Sequence, residues 1–171
     1  MSFALMFVDV QRNMLEGGSP VPDADTVRPA LSGLLTRARA AGAPVVHVLN
    51  DGSDTDPDKP HTPGWQPVFE AGPGEPVYRK TEPNAFSVPG LAASLNGFGV
   101  RTLVVAGFQS EFCIDATSRA ALDEGYDVVL AAGAHATYPG ASGARDMAET
   151  VERELQAYGI KVSPAHDLDF R

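Results

Sequence analysis

One cysteine, Cys113, stands in a chain of 171 residues. A lone thiol cannot form an internal disulfide, so stability must come from packing, and a cytoplasmic setting is the simplest expectation. Lysine is almost as scarce, occurring only as Lys59, Lys80 and Lys161. Lys and Arg total 13 and are scattered singly against 22 acidic residues, for a net charge of −9. Such a surface repels nucleic acid and anionic membranes. The opening stretch from Met1 to Asp9 has no basic region before its apolar run, which is far too short to span a bilayer, so no secretory signal is expected. His47, His61, His135 and His166 show no ligand spacing, so no transition-metal site is expected. The run from Asp54 to Asp58 begins like a calcium loop, but Lys59 takes the place of its glycine and Trp65 that of its bidentate glutamate. It reads as a solvated acidic loop. Gly72-Pro73-Gly74 lacks dinucleotide-loop spacing and Gly140-Ala141-Ser142-Gly143 is not a nucleophile elbow, so no cofactor is expected.

What is present reads as one domain over residues 1–171, with 43% hydrophobic content to fill a core. Ala4 to Val8 is continuously apolar, as a parallel strand covered on both faces should be, and it ends in Asp9. Gln11 to Pro22 reads as loop. Asp23 or Asp25 can cap a helix running to about Ala41, with Val27, Leu31, Leu34, Leu35 and Ala38 at helical spacing. Pro44 to Leu49 is a second strand, and the long Asp/Pro/Gly-rich loop from Asn50 to Glu75 is of the functional or mobile kind. Pro76 to Arg79 is a third strand leading to Lys80, and a short helix covers Leu91 to Leu95. Thr102 to Ala106 is a fourth strand breaking at Gly107, followed by a helix from Ser110 to about Glu124. Strand Val128–Ala132, helix Ala144–Tyr158 and strand Ile160–Val162 complete the chain. This alternation predicts α/β layers with right-handed crossovers, and ligands in such folds bind beyond the carboxyl ends of strands where strand order reverses. Asp9, Lys80 and the turn to Cys113 all follow strands, so they can converge there.

Cys113 falls in the first turn of a helix, where unpaired N–H groups and the dipole favour a thiolate; the simpler alternative is a buried structural cysteine. Asp9 is costly to bury unless paired or put to chemical use, and Lys80 is its natural cation. Three segments carry a resemblance: Phe7-Val8-Asp9-Val10-Gln11, Lys80-Thr81-Glu82-Pro83-Asn84-Ala85-Phe86, and Gly107 to Thr117 followed by Ala120 to Val128. In this order and separation they resemble the isochorismatase-like cysteine hydrolases over nearly the whole chain. The resemblance implies a three-layer Rossmann-like fold whose mostly parallel six-stranded sheet has the order 3-2-1-4-5-6, with helices on both faces. It also implies an Asp9–Lys80–Cys113 triad and a cis peptide between Phe108 and Gln109, aiming the Gln109 and Cys113 N–H groups at an oxyanion. The activity implied is hydrolysis of a C–N bond in a small amide, ureido compound or lactam through an acyl-enzyme. Relatives are commonly homo-oligomers. Nicotinamidases add an Asp-x-His motif for metal after the second strand, where this chain reads Asn50-Asp51-Gly52-Ser53, so no metal is carried over.

For the pocket, Trp65, Phe86, Phe108 and Tyr138 are the aromatic candidates, with simple core packing as their alternative. Asn84 stands where many relatives have serine and can orient a polar amide. His135 follows the fifth strand towards the active end, and Glu111 fits the first helical turn, where it also compensates the dipole. Two rival functions remain. Ser110-Glu111-Phe112-Cys113 has the hydroxyl-x-x-Cys spacing of a one-cysteine peroxidase, with Ser110 also placed to cap the helix. The other rival is a small-molecule-binding protein that kept this fold without turnover.

Overall fold

The computed structural model describes residues 2–171. Its frame is a sheet of β1 (Phe3–Val8), β2 (Val45–Asn50), β3 (Val77–Lys80), β4 (Thr102–Phe108), β5 (Asp127–Ala136) and β6 (Lys161–Pro164). They lie in the order β3-β2-β1-β4-β5-β6, every neighbouring pair parallel. The chain builds outward from β1 to β3, then returns to place β4 against the other side of β1. The sheet therefore reverses its winding between β1 and β4, which opens a crevice at their carboxyl ends.

β1 shows why both faces are covered. Its residues alternate between two cores, Leu5 and Phe7 on one side, Ala4, Met6 and Val8 on the other. The first face packs on α2 (Ala24–Ala40) through Val27, Leu31, Leu34, Leu35 and Ala38. The second packs on α3 (Leu91–Gly97), α4 (Asp115–Asp123) and α5 (Ala144–Tyr158) through Leu91, Leu95, Ala121, Val151 and Leu155. Each of these fully buried leucines stabilises the fold by about 1.5–3 kcal/mol relative to exposure.

Several local expectations need correction. A short helix, α1 (Arg12–Leu15), interrupts the segment read as loop, burying Met14 and Leu15. Asp23 holds the N-cap position of α2 but makes no capping bond; its carboxylate faces Arg145 at 3.6 Å. β4 does not break at Gly107 but runs on to Phe108. β5 continues to Ala136 after a register shift that sets Gly107 opposite His135. The segment after β4 is a single π-helical turn, Ser110–Ile114, in which the Ile114 N–H reaches back to the Gln109 carbonyl at 3.2 Å. Such turns are frequent at functional sites.

One buried side chain joins both the start and the middle of the loop from 51 to 76 to the segment after β1. Gln11, 1% exposed, donates to the carbonyls of Asn50 and Trp65 at 3.0 Å and accepts the Asn50 N–H at 2.8 Å, while its backbone bridges to Pro67. Nor is the acidic run wholly solvated: Asp58 is buried, one oxygen accepting from Asn50 Nδ2 at 2.7 Å.

Candidate active site

Three strand ends meet at the crevice. β1 delivers Asp9, whose φ of +54° turns the chain sharply away from the strand, a conformation that aspartate tolerates better than most residues. β3 delivers Lys80 as its last residue, register-paired with Asn50 at the end of β2. β4 delivers the π turn that carries Cys113. The approach of β1 and β4 needs Gly107, because a Cβ there would lie 1.9 Å from the Val8 carbonyl oxygen. The Phe108–Gln109 peptide that follows is cis.

Lys80 Nζ is the hub. It donates to Asp9 Oδ2 at 3.2 Å, Asn50 Oδ1 at 3.2 Å and Cys113 Sγ at 3.3 Å, which uses all three ammonium hydrogens. Asp9 Oδ1 is also 3.2 Å from the ammonium but accepts no hydrogen bond. The pair is almost fully removed from solvent, with side-chain exposures of 0% for Lys80 and 3% for Asp9. Two buried charges of this kind persist because each is held by the other and by polar neighbours.

Burial sets the proton affinities. It raises the Asp9 carboxyl above the ordinary aspartate range, against the pull of Lys80 in the other direction. It also pushes the Cys113 thiol up to about 12, helped by the Asp9 charge and opposed by Lys80. The sulfur therefore rests as a thiol beside a carboxylate of raised basicity. The thiolate favoured by a helix start is not the resting state, because burial and Asp9 outweigh Lys80 here.

Above this floor opens a pocket of about 570 Å³, with Asp9, Asn50, Asp58, Gln109 and Cys113 on its walls and Phe112, 56% exposed, and Tyr138 at its rim. The structure thus brings together Asp9, Lys80, Cys113, Gln109 and Tyr138 among the residues singled out from the sequence. The others lie elsewhere. Trp65 donates to Asp51 at 2.8 Å with the Arg79 guanidinium over its ring. Phe86 packs on Tyr126, and Asn84 accepts the Phe86 N–H, capping the short 3₁₀ turn Ala85–Ser87. Phe108 is fully buried in the core, and Glu111 accepts from the Thr137 hydroxyl at 2.7 Å. His135 bonds Ser110 Oγ through Nδ1 at 2.8 Å and Glu152 through Nε2 at 3.0 Å. That serine–histidine–carboxylate chain has the connectivity of a hydrolase triad, but Ser110 is 0% exposed. It anchors the π turn to β5 and α5 instead of capping a helix.

Sequence reasoning missed Asn50, Asp58 and Phe112. Asn50 had a signal, since it ends β2 as Asp9 ends β1. Asp58 had none, because a buried carboxylate in a run of aspartates looks like its solvated neighbours. Among the described residues no group of three or more His, Cys, Asp or Glu side chains is placed to hold a metal ion.

A family model described as the isochorismatase domain matches residues 3–163. Two streptothricin hydrolases of Streptomyces noursei are similar to this chain. One is 50% identical over 157 residues, covering 90% of this chain and 56% of that protein. The other is 51% identical over 148 residues, covering 84% and 58%. The chain thus spans less than three fifths of the length of these relatives. The crystal structure of an isochorismatase family protein from Desulfovibrio vulgaris superposes with a TM-score of 0.83 at 31% identity, covering 96% of this chain and 94% of that one. With the domain model spanning nearly all of the sequence and relatives at half identity, the chain belongs to the isochorismatase family.

Proposed function

We propose that the protein is a cysteine-dependent amidohydrolase that cleaves a non-peptide C–N bond of a small molecule through a thioester acyl-enzyme. The observation that carries this is the Lys80 ammonium touching both the Asp9 carboxylate and the Cys113 sulfur at the floor of an open pocket. In this mechanism Asp9 takes the thiol proton as the sulfur attacks the substrate carbonyl carbon, and Lys80 holds the developing negative charge nearby. The backbone N–H groups of Gln109 and Cys113 stabilise the tetrahedral oxyanion. Asp9 returns the proton to the leaving nitrogen, and the thioester forms as the C–N bond breaks. Asp9 then takes a proton from water, which attacks the thioester and releases a carboxylic acid and the restored thiol. The raised basicity of Asp9 suits it to both directions of transfer.

The peroxidase alternative loses support from Ser110, whose hydroxyl is buried against His135. The names of the Streptomyces noursei relatives make streptothricin a first compound to test, beside plain carboxamides and carbamoylated amines. Acid-quenched turnover followed by intact mass should show the acyl increment on wild type and none on Cys113→Ala. Turnover by Cys113→Ala at the wild-type rate would overturn the proposal.

A further inference from the structure

Ser110, His135 and Glu152 form a buried chain that the proposed mechanism leaves unused. Glu152 Oε1 is 3.0 Å from His135 Nε2, and His135 Nδ1 is 2.8 Å from Ser110 Oγ. A carboxylate only accepts, so Nε2 carries a proton and, in the neutral ring, Nδ1 accepts from the Ser110 hydroxyl. The His135 side chain and Ser110 are both 0% exposed, and none of the three residues lines the pocket over Cys113. Glu152 instead lines a separate groove of about 560 Å³ between α2 and α5.

Two irregularities of the backbone bring the chain together. Between Val105 and Gly107, β4 has one residue, Ala106; between their partners Leu130 and His135, β5 has four, Ala131 to Ala134. The excursion passes through Gly133 at φ +82° and returns β5 with His135 beside the end of β4. Bulges next to active sites re-aim a side chain in this way. The other irregularity is the π turn, where the Ser110 carbonyl accepts the Asp115 N–H and the Gln109 carbonyl takes both the Phe112 and Ile114 N–H groups at 3.2 Å. Glu111, the next residue, accepts the Thr137 hydroxyl at 2.7 Å, so the turn is pinned to the carboxyl end of β5 at two adjacent positions. An apolar side chain would fill the core here as well. A buried polar chain with every member satisfied does more, because it fixes one arrangement of the elements it joins.

We propose that His135 and Glu152, acting through Ser110, are positioning residues for the oxyanion site: they fix the π turn so that the Gln109 and Cys113 N–H groups face the substrate carbonyl oxygen while the sulfur faces its carbon. This rests on the hydrolase proposal for the role of those N–H groups. The turn carries the nucleophile and its donors together, so its placement sets both. A displacement of about 1 Å at such a site costs on the order of 10²-fold in rate.

Cys113 is the only cysteine, and two reagents test it differently. With p-nitrophenyl acetate the sulfur attacks a carbonyl carbon and gives its proton to Asp9. An oxyanion forms, and p-nitrophenolate leaves with the electron pair as the thioester is made. With iodoacetamide the sulfur displaces iodide and no oxyanion forms. The ratio of the two rates therefore reports oxyanion stabilisation without any identified substrate. Acetylation is read as the initial p-nitrophenolate release, less that of Cys113→Ala, and alkylation by intact mass. Ser110→Ala should lower the ratio about tenfold and Glu152→Ala about threefold, with alkylation within twofold of wild type. Glu152→Gln, which keeps an acceptor for the ring N–H, should restore most of the loss. Glu152 is 24% exposed and lies on the separate groove, so its variants decide the matter even where Ser110→Ala fails to fold. A ratio unchanged in Glu152→Ala, or both rates falling alike, overturns the proposal. Cys113-dependent amide hydrolysis with an unmoved ratio sinks the positioning role alone. A variant-sensitive ratio in a protein that hydrolyses no amide, ureido compound or lactam sinks the hydrolase proposal and leaves the anchored turn standing.

Discussion

Asp9→Asn should push two observables in opposite directions. The carboxylate raises the Cys113 pKa while Lys80 lowers it, so removing the anion leaves an ammonium acting alone on a sulfur 3.3 Å away. At an effective dielectric near 20, a unit charge about 4 Å distant is worth about 4 kcal/mol at most. That corresponds to about one to three pKa units once solvent relaxation is allowed for. A thiol of lower pKa is a weaker nucleophile by about half the gain in thiolate fraction, so alkylation near pH 8 should accelerate by about threefold to thirtyfold. Amide turnover should fall by about 10²–10⁴, because the proton acceptor is gone. The assay is the iodoacetamide rate at Cys113 from pH 7 to 10 for both proteins, read by intact mass and set beside ammonia release from the same preparations. Wild type should show alkylation still rising at pH 10, as expected of a thiol pushed up to about 12. Slower alkylation in Asp9→Asn would refute the reasoning, since Asp9 would then be supporting the thiolate and not opposing it.

Two structural predictions follow from the frame. Gly107→Ala should cost about 2–5 kcal/mol in urea unfolding, combining a φ of +133° with a Cβ 1.9 Å from the Val8 oxygen. Gly133→Ala, at φ +82° with open space around it, should cost only about 1 kcal/mol; equal losses in the two would refute the clash. Glu75 is held at about 2 chiefly by hydrogen bonds from Arg39, and His47, whose pKa burial lowers, meets its other oxygen at 2.9 Å. A carboxyl depressed in the folded state stabilises fully above its unfolded value near 4.5 and loses that stability as pH falls towards 2. Wild type should therefore lose on the order of 3 kcal/mol relative to Glu75→Gln between those limits, and parallel acid limbs in the two proteins would refute it.

The centre of the sheet was legible because β1 and β4 are continuous apolar runs, whereas the edge strands β3, Val-Tyr-Arg-Lys, and β6, Lys-Val-Ser-Pro, are not. Ala4 to Val8 closing on Asp9, and the third strand closing on Lys80, needed no tertiary knowledge. Where backbone hydrogen bonding overrides local pattern, sequence was blind. Nothing in Ser110 to Ile114 distinguishes a π turn from an α start, and the extension of β5 depends on a register shift that β4 imposes. Aromatic type alone did not locate the pocket wall. Trp65, in the middle of the long loop, and Phe86, after β3, are held aside by a cation above one ring and a tyrosine against the other. Asp58 shows the converse, a carboxylate in a run of aspartates that is buried with the Asn50 amide on one oxygen.

The single hydrogen bond from Tyr138 to the Ser19 carbonyl has a kinetic consequence. It ties the segment after β5 to the segment after α1, between the pocket over Cys113 and an outer groove of about 470 Å³. A partly exposed bond of this type contributes about 0.5–1.5 kcal/mol net, so breaking it slows passage by no more than about tenfold. Burial and the nearby Asp58 both raise the phenol pKa, so the donor stays protonated through neutral pH. Entry of a long substrate would then be slower than entry of a short one by about twofold to tenfold, and any larger discrimination between them would fall to how long each remains bound.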